Sequence, residues 1–239
     1  MPLTNTDAVI LAGGLGTRLR SVVADRPKVL APIGDRPFLD YQFNWLASFG
    51  VRRVVMAIGH LAGQVQTYVQ SRGFPGLQVI TSVESKPLGT GGAIRSVLPY
   101  IESETALVIN GDSFTDADLG SFQTFHTSVS ARLSLLLTKT PAPQRFGSVD
   151  TDNSGQVVRF REKAESQATD QYINAGVYLM DRSIIADIPQ DTNVSVERDV
   201  FPRMCGQGLW AMKGEFPFID IGTPESYEEA ETFLSRYAS

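Results

Sequence analysis

The sequence predicts an α/β fold, a doubly wound, mixed and mainly parallel sheet flanked by helices. Three observations carry that expectation. Asp7–Ala12 is a short apolar run, partly β-branched, that ends in Gly13-Gly14-Leu15-Gly16, as a buried strand entering a tight loop does. Similar runs then alternate with stretches of helical apolar spacing through the first half of the chain. A composition of 42% hydrophobic and 20% charged residues over 239 positions supplies enough core for one such unit.

The elements follow in order. Pro37–Phe49 carries apolar residues at helical spacing, with Gly50 where a C-terminal stop is expected. Val51–Ile58 predicts a second strand, Leu61–Gln70 a short helix and Leu77–Val83 a third strand. Gly89–Val97 predicts a helix opened by glycines, and Thr105–Ile109 a fourth strand running into Asn110-Gly111-Asp112. Strand alternating with helix predicts parallel βαβ units with right-handed crossovers. The second half changes character. Ala131–Thr138, Ser148–Asp150, Gln156–Phe160 and Tyr172–Met180 are β-rich, with a turn signal at Asn153-Ser154-Gly155, and predict mixed sheet plus a hairpin. Ser195–Met204 and Pro224–Tyr237 read as helices. With no repeat and no low-complexity linker, residues 1–239 read as one domain, its halves meeting near residue 115.

Composition excludes several functions. A net charge of −5 gives no basic face for nucleic acid. The single cysteine, Cys205, excludes an intramolecular disulfide and reads as a small buried hydrophobe. His60 and His126 lack a ligand motif and read as loop or surface residues, one of them at most lining a pocket. No basic segment precedes the first apolar run, which is too short to span a bilayer, so a cytoplasmic protein with no membrane association is expected. Arg52-Arg53 read as surface, Arg20 and Arg26 equally as a screen for phosphate charge or as a solvated face beside the loop, and Glu197 and Asp199 as helix surface, with a sugar-hydroxyl contact as the alternative for Glu197 and Asp199.

The glycine loop is the first chemical signal. In open α/β sheets, ligands sit beyond the carboxyl ends of the strands. Glycines there let backbone N–H groups approach phosphate oxygens with no Cβ in the way. A P-loop would need Gly-Lys-Ser/Thr, and Gly16 is followed by Thr17-Arg18. A dinucleotide loop would need a third glycine where Leu19 stands.

The pattern that remains is L-A-G-G-x-G-T-R-L over Leu11–Leu19, then P-K-x-L-x-P-I over Pro27–Ile33. It resembles the sugar-nucleotide pyrophosphorylases, a nucleotidyltransferase family that joins a sugar 1-phosphate to a nucleoside triphosphate. Glu84–Ala93 is similar to the family's base-binding loop. Asn110-Gly111-Asp112 is similar to its metal-binding aspartate after the fourth strand, and Arg161-Glu162-Lys163 to its sugar-phosphate lysine motif. Tyr172–Tyr178 is similar to its sugar-contacting strand, and Asp220-Ile221-Gly222-Thr223-Pro224 to its second metal aspartate. The resemblance covers nearly the whole chain and implies a Rossmann-like, GT-A-like nucleotidyltransferase fold. Its N-terminal half would bind nucleotide and its C-terminal half the sugar phosphate.

The resemblance also implies the site. Arg18, Lys28 and Asp112 would be catalytic. Leu11, Ala12, Gly13, Gly14, Gly16, Thr17, Arg18, Lys28, Glu84, Pro87, Leu88, Gly89, Thr90 and Gly111 would contact the nucleotide. Gly147, Glu162, Lys163, Asn174, Ala175 and Gly176 would hold the sugar phosphate, with specificity also set around Ser195–Arg198. Asp112 and Asp220 would bind Mg²⁺, which prefers oxygen ligands and phosphate bridging. GTP and a sugar 1-phosphate are the implied partners, and a homodimer the implied assembly. Guanine presents two adjacent donors that one carboxylate accepts together, so Glu84 in the base loop favours GTP; the alternative is that Glu84 caps the loop backbone. Gly16–Val23, Pro27–Ile33, Pro37-Phe38-Leu39 and Pro87–Ile94 are most similar to the D-glycero-α-D-manno-heptose 1-phosphate guanylyltransferases. Val29 and Leu30 depart from the proline and methionine common there. N-acetylmuramate 1-phosphate uridylyltransferases and mannose 1-phosphate guanylyltransferases come next, and a non-catalytic nucleotide-sugar sensor on the same fold is the alternative of a different class.

Overall fold

The computed structural model describes residues 2–19, 21–161 and 171–237. The chain opens with β1 (Ala8–Ala12), whose alternate side chains enter two different cores. Ala8, Ile10 and Ala12 join one apolar cluster and Val9 the other. Burial on both faces explains why this strand reads as a continuous apolar run and not as an alternation.

No helix follows directly. The glycine loop continues irregularly to a single 3₁₀ turn at Lys28–Leu30, then to β2 (Pro32–Ile33), β3 (Arg36–Pro37) and α1 (Phe38–Ser48). After α1 come β4 (Arg53–Ile58), α2 (Ala62–Arg72), β5 (Gln78–Val83), α3 (Gly89–Ser96), β6 (Thr105–Asn110) and β7 (Ser113–Thr115). The second half contains α4 (Leu119–Ser128), β8 (Leu133–Thr138), β9 (Ser148–Thr151), β10 (Val157–Arg161), β11 (Ile173–Asp181) and α5 (Arg182–Ala186). It ends with α6 (Phe201–Met204), β12 (Leu209–Lys213), β13 (Phe218–Asp220) and α7 (Pro224–Leu234).

The predicted doubly wound arrangement is present. β1 pairs in parallel with β4 on one side and β6 on the other, and β4 pairs in parallel with β5. The chain steps outward from β1 to β5 and then returns past β1 to place β6. The strand order therefore reverses between β1 and β6, and that reversal leaves a crevice beyond their carboxyl ends. β11 runs antiparallel against β6, β8 extends from β11, and β12 joins β8 in parallel. With the β9–β10 hairpin this completes nine strands. β7 and β13 form a separate ribbon beside the crevice.

Several local expectations change. α4, β12 and β13 were not predicted. α4 starts at Asp118, whose carboxylate accepts a hydrogen bond from Ser121 N at 2.9 Å and so caps the helix. The helix expected over Ser195–Met204 is split into a π-helical stretch at Val196–Val200 and the short α6, with Pro202 in its first turn. His126 is not a surface residue. It is buried on α4 with Nδ1 2.8 Å from Ser134 Oγ, and burial pushes its pKa down. Arg53 is mostly buried too, held between Asp7 and Glu102. Cys205 is half-buried against Phe201, as a small hydrophobe would be. Among the described residues no helix is long and apolar enough to cross a membrane.

Candidate active site

A cleft of about 750 Å³ opens at the β1/β6 reversal. Nine separate pieces of chain meet there, among them the loop after β1, the 3₁₀ turn with Lys28, the β5–α3 connection, the end of β6, a kinked part of β11 and the end of β13. Leu11, Ala12, Gly13, Gly14, Gly16, Arg18, Lys28, Glu84, Pro87, Leu88, Gly89, Thr90, Gly111, Asp112, Asn174, Ala175, Gly176 and Asp220 all line it. Thr17 is not on the wall; it is exposed in the loop's turn. Gly147 is also off the wall, because it is buried against the Phe160 ring. Its carbonyl accepts a hydrogen bond from Asn174 N at 3.0 Å and so supports the wall from behind. Glu162 and Lys163 lie outside the described residues.

Glu84 stands directly behind the glycine loop. Its Oε2 accepts from Leu88 N at 3.3 Å, which is the loop-capping role weighed above. Its Oε1 lies where a Cβ on Gly13 would approach to 2.6 Å, so position 13 admits no side chain while Glu84 keeps this pose. Burial pushes the Glu84 carboxyl above its ordinary pKa, and the Leu88 N–H opposes that rise. A carboxylate held partly desolvated at a cleft wall is under-solvated until a donor-rich ligand arrives.

Two ion pairs occupy the carboxylates proposed for metal binding. Lys28 Nζ lies 3.0 Å from Asp112 Oδ2. Arg145 Nη2 lies 2.9 and 3.0 Å from the two oxygens of Asp220, which also accept from Gly222 N at 3.0 Å. Burial raises the Asp220 pKa most. Arg145 opposes it, and the charge of Asp112 adds to the rise, so the two aspartates sense one another across the cleft. Arg18 makes no hydrogen bond or ion pair among the described residues and lies exposed on the wall. The guanidinium is free to meet a phosphate.

β11 reaches the cleft by breaking its own register. Its pairing with β8 shifts between Asn174 and Tyr178, with Gly176 at φ +73°. Asn174 Oδ1 accepts from Gly176 N at 2.9 Å, and Asn174 Nδ2 donates to the buried Tyr178 hydroxyl at 2.8 Å. The bulge turns Asn174–Gly176 toward the site. A Cβ at position 176 would approach Asn110 Nδ2 to 2.5 Å, in a backbone region that disfavours side chains. Gly176→Ala is therefore expected to cost about 1–3 kcal/mol in urea unfolding and to weaken the binding of any ligand in the cleft that Asn174 lines. Unchanged unfolding and ligand binding would show that the bulge tolerates a side chain.

The sequence reading missed part of the wall. Glu197 is not a solvated helix face. Its Oε2 accepts from Thr90 Oγ1 at 2.6 Å and Ser195 Oγ at 2.8 Å, joining α3 to the π-helical stretch. Asp199 accepts from Ser195 N at 2.7 Å. Arg145, Phe146, Ser195, Arg198 and Phe218 also line the cleft, as does His60, the one histidine of the pair that the sequence allowed to line a pocket. Ser195–Arg198 had been expected to influence specificity. For Arg145 and Phe146 the available signal was their place next to Gly147.

A glycine loop, free and paired cations, and two carboxylates gathered at the reversal point of an open parallel sheet define a phosphate-handling α/β protein. The nucleotidyl transferase family model matches residues 7–236, and the chain belongs to that family. It is 38% identical over 99% of its length to a mannose-1-phosphate guanylyltransferase of Mycobacterium tuberculosis, spanning 66% of that relative. It is 35% identical to a D-glycero-alpha-D-manno-heptose 1-phosphate guanylyltransferase of Aneurinibacillus thermoaerophilus, over 97% of this chain and 99% of the relative. The crystal structure of HddC from Yersinia pseudotuberculosis complexed with GMP-PN superposes with a TM-score of 0.84 at 36% identity, covering 95% of this chain and 98% of that one.

Proposed function

We propose that the protein is a sugar-1-phosphate guanylyltransferase that joins GTP and D-glycero-α-D-manno-heptose 1-phosphate into GDP-heptose and pyrophosphate. The observation that carries this reading is the convergence of Arg18, Lys28, Glu84, Asp112 and Asp220 on one cleft from four different connections. The HddC complex with GMP-PN supports guanine as the base, and the full-length similarity to the heptose enzyme supports the sugar.

In this reaction a phosphate oxygen of the sugar phosphate attacks the α-phosphorus of GTP. The bond from that phosphorus to the bridging β-phosphate oxygen breaks, and pyrophosphate leaves with the electron pair. The nucleophile is already ionised near neutral pH, so the residues need not supply a general base. Their work is positioning and charge neutralisation. Arg18, exposed on the wall and without a partner among the described residues, takes the departing pyrophosphate. Lys28 neutralises charge at the transferred phosphorus. Glu84 receives the two donors of the guanine edge with the lone pairs that Leu88 N leaves open on its two oxygens. Asn174 and the bulge of β11 orient the sugar, and Lys163 is the residue proposed for its phosphate.

Asp112 and Asp220 are the residues that would hold Mg²⁺. Their chemistry fits: two hard oxygen donors facing one cleft leave the remaining positions to phosphates and water, as Mg²⁺ prefers. When bound, the ion supplies further neutralisation of the triphosphate. Among the described residues no third carboxylate, histidine or cysteine completes a protein-only cage. We further propose that residues 1–239 act as one catalytic domain working on the cytoplasmic nucleotide pool.

The test is pyrophosphate release in the presence of Mg²⁺, crossing GTP, UTP, dTTP and CTP with heptose, mannose, glucose and N-acetylmuramate 1-phosphates. The expected result is release with GTP and the heptose phosphate. The 38% identity to the Mycobacterium enzyme favours mannose 1-phosphate as the second reading. Preferred release with mannose would replace the sugar and keep the mechanism. Preferred release with UTP would refute the role given to Glu84. Nucleotide binding without release from any pair would make the protein a sensor.

A further inference from the structure

The Arg145–Asp220 pair is built differently from an ordinary surface bridge. The Asp220 side chain is 13% exposed and the Arg145 side chain 29%. One guanidinium nitrogen serves both carboxylate oxygens and also donates to Ser226 Oγ at 3.2 Å, at the start of α7. Gly222 N takes a further lone pair of Oδ2. Most of the hydrogen-bonding capacity of this carboxylate is therefore spent on the protein itself. Arg145 stands on a three-residue 3₁₀ turn, Pro143–Arg145, in the connection between β8 and β9. That connection also presents Phe146 to the cleft and carries Gly147 behind Asn174.

Arg145 Nη2 faces both oxygens of Asp220, so a divalent ion that takes both of them on that face meets a like charge on the lone pairs it needs. We propose that Arg145 is the resident counter-cation of Asp220, and that a divalent ion loads onto Asp220 only by displacing it. This rests on the assignment of Asp220 to metal binding made above. Two consequences follow. With Arg145 seated, the nearly buried carboxylate is not left as an uncompensated charge, which would be destabilising. With Arg145 released, the turn at 143–145 loses its anchor to β13 and α7. The freed guanidinium, already on the cleft wall, becomes available to a phosphate oxygen. Metal loading and the arrangement of the sugar-side connection are then one event.

The experiment is a titration of the substrate-free protein with Mn²⁺, followed by electron paramagnetic resonance, in the wild type, Arg145→Gln and Arg198→Gln. Removing a charge-assisted competitor is expected to tighten Mn²⁺ binding about tenfold in Arg145→Gln. Arg198→Gln removes an exposed cation that lines the same cleft without touching Asp220, and is expected to stay within about twofold of the wild type for Mn²⁺, since solvent screens an exposed charge that makes no direct pair with the carboxylate. Unchanged or weaker binding in Arg145→Gln, or equal tightening in both variants, would overturn the proposal. A second measurement uses the unmodified chain. Amide exchange across residues 139–147 is expected to speed up on saturation with Mg²⁺, and unchanged exchange would overturn displacement. Because neither readout involves catalysis, failure of the guanylyltransferase assay with displacement intact would reject only the function. Failure of Mn²⁺ to bind the wild type would reject the metal assignment and this inference together.

Discussion

Lys28→Met is expected to lower the rate of pyrophosphate release by about 10²–10³-fold, the usual loss when one preorganised electrostatic group is removed from a reacting centre. The fold is expected to survive. The Lys28 side chain is 17% exposed, but its partner Asp112 is 38% exposed, so water solvates the carboxylate once the ammonium is gone. A partly exposed pair of this kind contributes about 0–1 kcal/mol to stability. The lysine stem also packs against Gly16, where a Cβ would meet Cγ at 3.2 Å, and methionine retains most of that packing. The loss should therefore appear in single-turnover rate and hardly in melting temperature. Asp112→Asn is expected to lose activity on a similar scale. Because Lys28 and Asp112 are in direct contact, the double variant should be much less impaired than the product of the two single losses. A Lys28→Met enzyme with the wild-type rate would remove Lys28 from the mechanism, and strictly multiplicative losses would show that the two residues act separately.

Glu84→Gln is expected to lower kcat/KM for GTP by about tenfold to a hundredfold, the cost of replacing charge-assisted acceptance by a neutral amide. UTP offers no such donor pair, so its kcat/KM should hold and the base preference should narrow. The same substitution is expected to stabilise the protein. The Glu84 carboxyl sits above its ordinary pKa of 4.5 because burial disfavours its charge. A raised folded pKa means that the folded state holds the proton more tightly than the unfolded one. The stabilising effect of that proton is present below pH 4.5 and is lost as pH rises through the folded pKa. At pH 7 the wild type carries the penalty of a desolvated charge and Glu84→Gln does not. The variant should melt higher at pH 7, with the difference closing near pH 4. Lower melting at pH 7 would mean that Leu88 capping outweighs desolvation, and an unchanged GTP preference would leave Glu84 a loop cap alone.

The parts of the fold that were legible share a physical cause. β1, β4 and β6 are buried on both faces, so their apolar runs do not depend on which neighbour covers them. The helices α1 and α3 have local stops and starts that one can see in the chain, at Gly50 and at the glycines after Leu88. The elements that escaped notice are those whose identity depends on a partner. β13 is three residues long and is a strand because β7 lies beside it. β12 is a strand because β8 offers an open edge. The helix expected over Ser195–Met204 divides where Ser195, Glu197 and Thr90 bond to one another, a contact between residues 107 positions apart in the case of Thr90 and Glu197.

The candidate site divides in the same way. The sequence by itself determined which residue types were present and in which motifs: glycines where backbone must come close, Arg18 and Lys28 proposed for phosphate, Asp112 and Asp220 proposed for a hard cation, and Glu84 in the proposed base loop. The glycines at the strand end follow from residue type and spacing, whereas the roles of the cations, the aspartates and Glu84 come from the resemblance of their motifs to the nucleotidyltransferase family. Only the tertiary structure decided what each group faces. It set Lys28 on Asp112, leaned Glu84 on Gly13, withdrew Gly147 behind Asn174, and brought Arg145 across 75 positions onto Asp220. The reason is that charge and hydrogen-bonding partners are chosen by distance in space. In a doubly wound sheet that distance is set by where the strand order reverses, which no local pattern records.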